Sequence, residues 1–291
     1  MSNKAALFIM FGQSNAQGYS ALMKEEDKIT APLKNVYGLG RDLNQNFEND
    51  KLNWEGYTTY GTNLGQAIDH SYSVSACLAK KWQDEIDAGV NLPDLYIINI
   101  AVGAQGITEK YMWWHKKEAK ISVNEDGAVD IALYPFALHI LSMVKESFAS
   151  MGKEIAKVEF HWRGGENDAE VKKEELETYL KGLYEKIFDG FNNAYGEKLP
   201  TTIHQIFNYD RAMDCDPTGE FRRSLYYIND VFDSLVAENE NIDMFDVRNY
   251  PGYIPDVRGN GMYMEDAVHY TGETNTWVAG EILKDYKKDL L

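Results

Sequence analysis

The sequence is short of cysteine, of basic charge and of long apolar runs, and each shortage excludes a class of protein. Its two cysteines, Cys77 and Cys215, form neither a disulfide framework nor a cluster of metal ligands. No apolar run approaches the roughly 20 residues of a membrane-spanning helix. The 29 Lys and Arg residues face 46 Asp and Glu residues, which gives a net charge of −17. Such a surface repels phosphate backbones and anionic lipids, so we expect neither a nucleic-acid nor a membrane partner.

A leader segment, internal repeats and metal-ligand spacing are also missing from the sequence. The first residues run directly into an apolar strand without a separate cleavable segment, so we expect a cytoplasmic protein. No repeat, low-complexity tract or linker interrupts the chain, which predicts one domain over residues 1–291. The histidines at 70, 115, 161 and 204 are scattered without ligand spacing. We therefore expect neither a metal nor another cofactor.

What the sequence does contain is an alternation of strand-like and helix-like segments. Buried apolar runs predict strands at residues 5–10, 94–102, 155–162, 200–207 and 242–247, with a short one near 36–37. Helical spacing of apolar residues marks 72–88, 133–148, 176–191, 225–235 and 277–286, whereas 107–130 is predicted to be a long loop. Strands that alternate with helices of more than ten residues predict a mainly parallel sheet covered on both faces. Ligands bind beyond the carboxyl ends of the strands in such folds.

Ser14 is the candidate nucleophile because it follows the first strand through a turn. Gly12 permits a sharp change of direction, and the small residues around Ser14 suit the first turn of a helix. The hydroxyl and backbone N–H of Ser14 would then lie where negative charge is stabilised, as attack on a carbonyl requires. The alternative is that Ser14 only caps the helix.

A nucleophilic serine needs a base, an orienting group and donors for the oxyanion. His269 lies three residues after Asp266, so one loop can present both side chains. The alternative is a helix-capping Asp beside a surface His. The backbone N–H of Ser14, a glycine N–H from residues 103–106 and the side-chain amide of Asn167 are the candidate oxyanion donors.

Four blocks of sequence, in order, resemble the SGNH (GDSL-like) hydrolases and cover nearly the whole chain. They are Gly-Gln-Ser-Asn at residues 12–15, a glycine turn at 103–106, Gly-Glu-Asn-Asp at 165–168 and Asp-x-x-His at 266–269. The first block resembles the branch that contains sialate O-acetylesterases and acetyl-xylan esterases. The third departs from that branch, because Gly164 stands where Gln is usual and Asn167 stands where Ser is usual.

The resemblance implies a flavodoxin-like three-layer αβα sandwich. It also implies Ser14 as nucleophile, His269 as base and Asp266 as the group that orients His269. The oxyanion hole would be completed by Asn167 and by Gly103 or Gly106. The second block lacks adjacent glycines, so the choice between these two glycines stays open.

The resemblance further implies a serine esterase that removes O-acetyl groups from a carbohydrate through an acyl-enzyme. Candidate substrate contacts are Gln13, Trp113, Trp114 and Arg163. Aromatic faces pack against sugar rings, and Arg binds a sugar carboxylate bidentately. The alternatives are that the tryptophans anchor a loop and that Arg163 makes a local ion pair. Two rival functions are hydrolysis of a lipid or thioester acyl chain and non-catalytic glycan binding.

Overall fold

The computed structural model describes residues 3–19, 21, 23–40, 51–59, 72–119, 121–123, 129–170, 176–206, 220–251 and 269–291. Asp266, His70 and Cys215 lie outside these residues. In the part of the chain that is described, no helix is both long enough and apolar enough to cross a bilayer.

A seven-stranded sheet forms the centre of the molecule. Its strands are β1 (Lys4–Gly12), β2 (Val36–Leu39), β3 (Trp54–Gly56), β4 (Asp94–Ala101), β7 (Glu154–Arg163), β8 (Thr201–His204) and β9 (Ile242–Phe245). β5 (Ile121–Val123) and β6 (Val129–Ile131) form a separate two-stranded sheet. Every residue of β1 after Lys4 is buried, which fits a strand covered on both faces.

The strand order in the sheet is β3-β2-β4-β1-β7-β8-β9. All neighbouring strands are parallel except β2 and β3, which are antiparallel. Counted among themselves, the five strands β4-β1-β7-β8-β9 follow the flavodoxin-like order 2-1-3-4-5. From β1 the chain continues to β4 on one side of β1, and it then crosses to β7 on the other side. The topological switch point of the sheet therefore lies between β1 and β7. Ligands bind beyond the carboxyl ends of the strands at such a switch point.

Helices cover both faces of the sheet. The helices are α1 (Ser14–Gln17), α2 (Val74–Asp87), α3 (Leu133–Ser150), α4 (Lys181–Tyr195), α5 (Glu220–Glu238) and α6 (Gly272–Leu290). One buried cluster joins one face of the sheet to α2 and α6, and the other joins the opposite face to α3, α4 and α5. The structure therefore has the predicted layers, with a mainly parallel central sheet.

The predicted elements are present, with shifted ends and two corrections. The segment at 107–130, predicted to be a long loop, contains β5 and the first residues of β6. The short strand predicted near residues 36–37 is β2, and it pairs with β3, which was not predicted. These strands have three or four residues each, too few to show the alternation that sequence patterns rely on.

Candidate active site

Ser14 lies directly after β1, as predicted from the sequence, and this position is the switch point between β1 and β7. Gly12 has φ 152°, and a Cβ there would collide with the carbonyl of Arg163 at the end of β7. The Gln13 N–H donates to that same carbonyl at 3.1 Å. The position before the helix is Gln13, which makes no side-chain cap bond, and Ser14 is the first helical residue. The structure thus contradicts the capping alternative for Ser14.

Gly103 faces Ser14 across the loop that follows β4. A Cβ built on Gly103 would lie 3.6 Å from Ser14 Cβ and 3.4 Å from Gln17 Oε1. The next residue in this loop, Ala104, adopts a left-handed φ of 56°, which is uncommon for a residue other than glycine. Gly106 instead lies against the Asp168 carboxylate, where a Cβ would collide with Oδ1, and beside the Tyr111 ring. Of the two candidate glycines, Gly103 is therefore the one that faces Ser14.

Asn167 lies in a short 3₁₀ helix, Glu166–Glu170, after β7. Its side chain is half-buried, and its backbone carbonyl accepts from the Tyr111 hydroxyl at 3.3 Å. The loop that carries Gly103 and the helix that carries Asn167 are thus joined directly. The role of the Asn167 amide in an oxyanion hole stays a prediction.

Asp168 is a buried neighbour of Asn167 that the sequence analysis did not single out. The carboxylate is 1% exposed and accepts from the Ile107 N–H at 2.8 Å and from the Tyr184 hydroxyl at 3.0 Å. Burial raises the pKa of this carboxyl to about 7, although the hydrogen bonds from Ile107 and Tyr184 act in the opposite direction. The sequence signal was the second acidic residue of the Gly-Glu-Asn-Asp block. The burial of the Asp168 carboxylate could not be predicted from the sequence, because it depends on how the loop after β4 packs against it.

His269 lies beside the nucleophile helix. Its ring centroid is 4.8 Å from that of Tyr19, whose N–H donates to the Ser14 carbonyl at 2.9 Å. The next residue, Tyr270, donates its N–H to Asn15 Oδ1 at 3.3 Å. Two consecutive residues of the C-terminal segment therefore contact the turn that carries Ser14.

Thr271, not an aspartate, caps the helix that follows His269. Its hydroxyl accepts from the Thr274 N–H at 3.1 Å at the start of α6. The capping position considered as an alternative for Asp266 is thus occupied by Thr271. Asp266 lies outside the described residues, so its orienting role stays a prediction.

Arg163 points beneath the nucleophile helix. Its side chain is 3% exposed and donates from Nη1 to the Asn15 carbonyl at 3.2 Å and to Asn275 Oδ1 at 2.8 Å. The guanidinium also lies 4.6 Å from the centre of the Tyr270 ring. This placement favours a structural role that joins α1 to α6, and substrate binding by Arg163 stays a prediction without structural support.

The remaining predicted substrate contacts are buried to different degrees. Trp113 is 0% exposed, donates from Nε1 to the Gly12 carbonyl at 3.0 Å and packs against Trp162. This burial favours the loop-anchoring alternative. Trp114 is half-buried beside His115. Gln13 is 1% exposed and donates from Nε2 to Glu166 Oε2.

Two of the scattered histidines pair with each other inside the sheet. His161 Nδ1 lies 2.9 Å from His204 Nε2, and burial lowers the pKa of His204 well below its ordinary value. Among the residues that the structure describes, no group of His, Cys, Asp and Glu side chains has the geometry of a metal site.

Comparisons with known proteins give similarity in structure but not in sequence. No family model matches the chain, and no curated protein matches its sequence. The solved structure of NanS matches with a TM-score of 0.61 at 13% identity, over 98% of this chain and 97% of that one. A protein from Arabidopsis thaliana matches with a TM-score of 0.55 at 16% identity, over 100% of both chains.

A third match is Est24, a carbohydrate acetylesterase from Sinorhizobium meliloti. Its TM-score is 0.47 at 10% identity, over 97% of this chain and 99% of that one. The two stronger matches extend over essentially the whole chain, as do the four sequence blocks. The chain therefore shares the fold of these two structures over its whole length, and that fold is the three-layer αβα sandwich with a mainly parallel central sheet that the sequence predicts.

Proposed function

We propose that this protein is a serine esterase that removes O-acetyl groups from a carbohydrate through an acyl-enzyme. The observation that carries the proposal is that Gly103 faces Ser14 at the switch point of the sheet, so closely that a Cβ at Gly103 would lie 3.6 Å from Ser14 Cβ. This proximity supports a site in which the Ser14 hydroxyl and an oxyanion donor from a second strand end act together, at the edge of the sheet where ligands bind in this fold.

In the proposed reaction, Ser14 Oγ attacks the acetyl carbonyl while His269 takes the hydroxyl proton. Asp266 holds the His269 ring in the tautomer that this transfer needs. The oxyanion of the tetrahedral intermediate accepts from the backbone N–H groups of Ser14 and Gly103 and from the Asn167 amide. The protonated histidine then protonates the departing sugar oxygen, which leaves as a free hydroxyl. In the second half of the cycle, water gives a proton to His269 and attacks the acetyl-serine, and His269 returns the proton to Ser14 Oγ as acetate leaves.

Tyr19 supports a carbohydrate as the alcohol part of the ester. Its side chain is 44% exposed although its ring packs beside His269. An exposed aromatic face next to the base is suited to pack against a sugar ring. Of the four substrate contacts predicted from the sequence, Gln13, Trp113 and Arg163 are buried and do not provide such an accessible surface.

The test is hydrolysis of p-nitrophenyl acetate by Ser14→Ala, with thermal melting measured alongside. We expect the rate to fall to the uncatalysed level while the melting temperature stays near that of the wild type. Ser75→Ala is the matched control, since Ser75 is fully buried and its hydroxyl lacks a hydrogen-bond partner among the described residues. Near-wild-type activity of Ser14→Ala would remove Ser14 from the mechanism.

A screen for acetate release then tests the substrate class. It uses acetylated sialic acids, acetylated xylan and bacterial polysaccharides, with short and long p-nitrophenyl acyl esters for comparison. Preference for an acetylated sugar supports the proposal, whereas preference for long acyl chains supports the lipid or thioester rival. Absence of any ester hydrolysis by the wild type would favour the non-catalytic rival.

A further inference from the structure

We infer that Asn15 and Glu166 form a positioning pair that holds Ser14 in register with the His269 segment and with the helix that carries Asn167. The inference rests on the proposed esterase function. Neither residue is assigned a chemical step, and both act through the groups that they hold.

Asn15 follows the nucleophile directly and is bonded on three sides. Its Oδ1 accepts from the Tyr270 N–H at 3.3 Å, and its Nδ2 donates to Glu166 Oε1 at 2.8 Å. Its backbone carbonyl accepts from Arg163 Nη1 at 3.2 Å. The residue is 3% exposed, so water does not compete strongly for these groups. The Asn15 side chain thus connects the nucleophile helix to the His269 segment and to the 3₁₀ helix that carries Asn167.

Glu166 accepts hydrogen bonds from the residues on both sides of Ser14. One carboxylate oxygen accepts from Asn15 Nδ2, and the other accepts from Gln13 Nε2. These are charge-assisted hydrogen bonds, which are stronger than those between neutral groups. Because Glu166 begins the 3₁₀ helix that contains Asn167, movement of the turn relative to that helix would break both bonds.

The geometry matters for rate because the serine, the base and the oxyanion donors come from separate parts of the chain. A displacement of about 1 Å between reacting groups costs on the order of 100-fold in rate. The proximity of Gly103 to Ser14 follows from the pairing of β1 with β4. The His269 segment is held by the packing of Tyr19 on His269, by the packing of Arg163 on Tyr270 and by the Tyr270 N–H bond to Asn15, which is the only hydrogen bond of the three.

The test exchanges the donor and the acceptor of the pair. Asn15→Asp keeps an acceptor for the Tyr270 N–H but turns a second carboxylate toward Glu166. Adding Glu166→Gln supplies an amide that donates to Asp at position 15 and still accepts from Gln13 Nε2. We expect Asn15→Asp to lower kcat for p-nitrophenyl acetate on the order of 10- to 100-fold, with KM changed less than about 3-fold. We expect the double variant to recover most of that loss.

Glu166→Gln alone should have a small effect, because the Gln13 amide can rotate. Gln13 Oε1 is buried without a hydrogen-bond partner in the described residues, so it is available to accept from the new amide. The matched control is Asn241→Asp, which removes an amide bond to the Leu199 carbonyl at 3.0 Å. Asn241 directly precedes β9, so it lies at the edge of the parallel sheet opposite to the edge that carries Ser14. This variant should lower the melting temperature while kcat stays at the wild-type value.

The inference is overturned if Asn15→Asp lowers the melting temperature but leaves kcat unchanged, or if the double variant regains stability without regaining kcat. If Asn15→Asp does not fold, Glu166→Ala is compared with Glu166→Gln. The pair is supported if kcat falls more than about 10-fold in Glu166→Ala but not in Glu166→Gln. The inference is overturned if the two variants have equal kcat values. A wild type that hydrolyses no ester overturns the proposed function and this inference with it, whereas an active wild type with an equally active Asn15→Asp overturns this inference alone.

Discussion

Replacement of Asp168 by Asn should change how the stability of the protein depends on pH. The wild-type carboxyl is fully buried, and burial raises its pKa from 3.8 to about 7. Between these two values the folded protein holds a proton that the unfolded chain has lost. The slope of the unfolding free energy with pH is therefore negative, so this group contributes stability at low pH that disappears as pH rises through about 7.

The magnitude follows from the pKa difference at about 1.4 kcal/mol per pH unit. A measurement from pH 5.5 to pH 8.5 avoids the sequence pI near 4.8, where the protein is least soluble. In that interval the carboxyl should cost the wild type about 2 kcal/mol of unfolding free energy. Asn does not titrate, and its side-chain oxygen still accepts from the Ile107 N–H. The difference in unfolding free energy between Asp168→Asn and the wild type should therefore shift by about 2 kcal/mol in favour of the variant as the pH rises from 5.5 to 8.5.

Urea unfolding of both proteins at five pH values measures this difference, because every other titrating group is common to the two. Asp84→Asn is the control, since the Asp84 side chain is 64% exposed and its variant should run parallel to the wild type. Parallel curves for Asp168→Asn and the wild type would refute the argument, because they would show that the buried carboxyl titrates alike in the folded and unfolded chains.

Two further predictions concern the oxyanion and the substrate. Asn167→Ala should lower kcat about 10²- to 10³-fold with little change in KM, and a lower melting temperature with unchanged kcat would contradict its donor role. Asn167→Ser should be nearly as damaging, and Gly164→Gln should restore part of the loss, since Gly164 is not left-handed and a Cβ there would make ordinary contacts at 3.5 Å. Tyr19→Leu should raise KM for an acetylated sugar about 3- to 10-fold, and more than KM for p-nitrophenyl acetate, while Tyr19→Phe stays near the wild type. Equal effects on both substrates would argue against sugar packing.

The sequence alone was sufficient for the layers of the fold and for the turn that carries Ser14. Buried runs such as residues 5–10 are apolar at every position because both faces of a parallel sheet are covered, and this pattern is visible without coordinates. The glycine at position 12 is equally visible. Short strands such as β3, β5 and β6 escaped prediction because three residues carry no readable period.

Only the tertiary structure decided which polar and aromatic residues face the site. Arg163 and Trp113 lie close to the nucleophile turn in space, yet both turn into the protein, Arg163 under α1 and Trp113 into the cluster around Trp162. Gly103 faces Ser14, whereas Gly106 faces the Asp168 carboxylate and the Tyr111 ring. The residue types and their order along the chain come from the sequence. Their directions come from packing between segments as far apart as Asn15 and Tyr270, and no local pattern encodes such contacts.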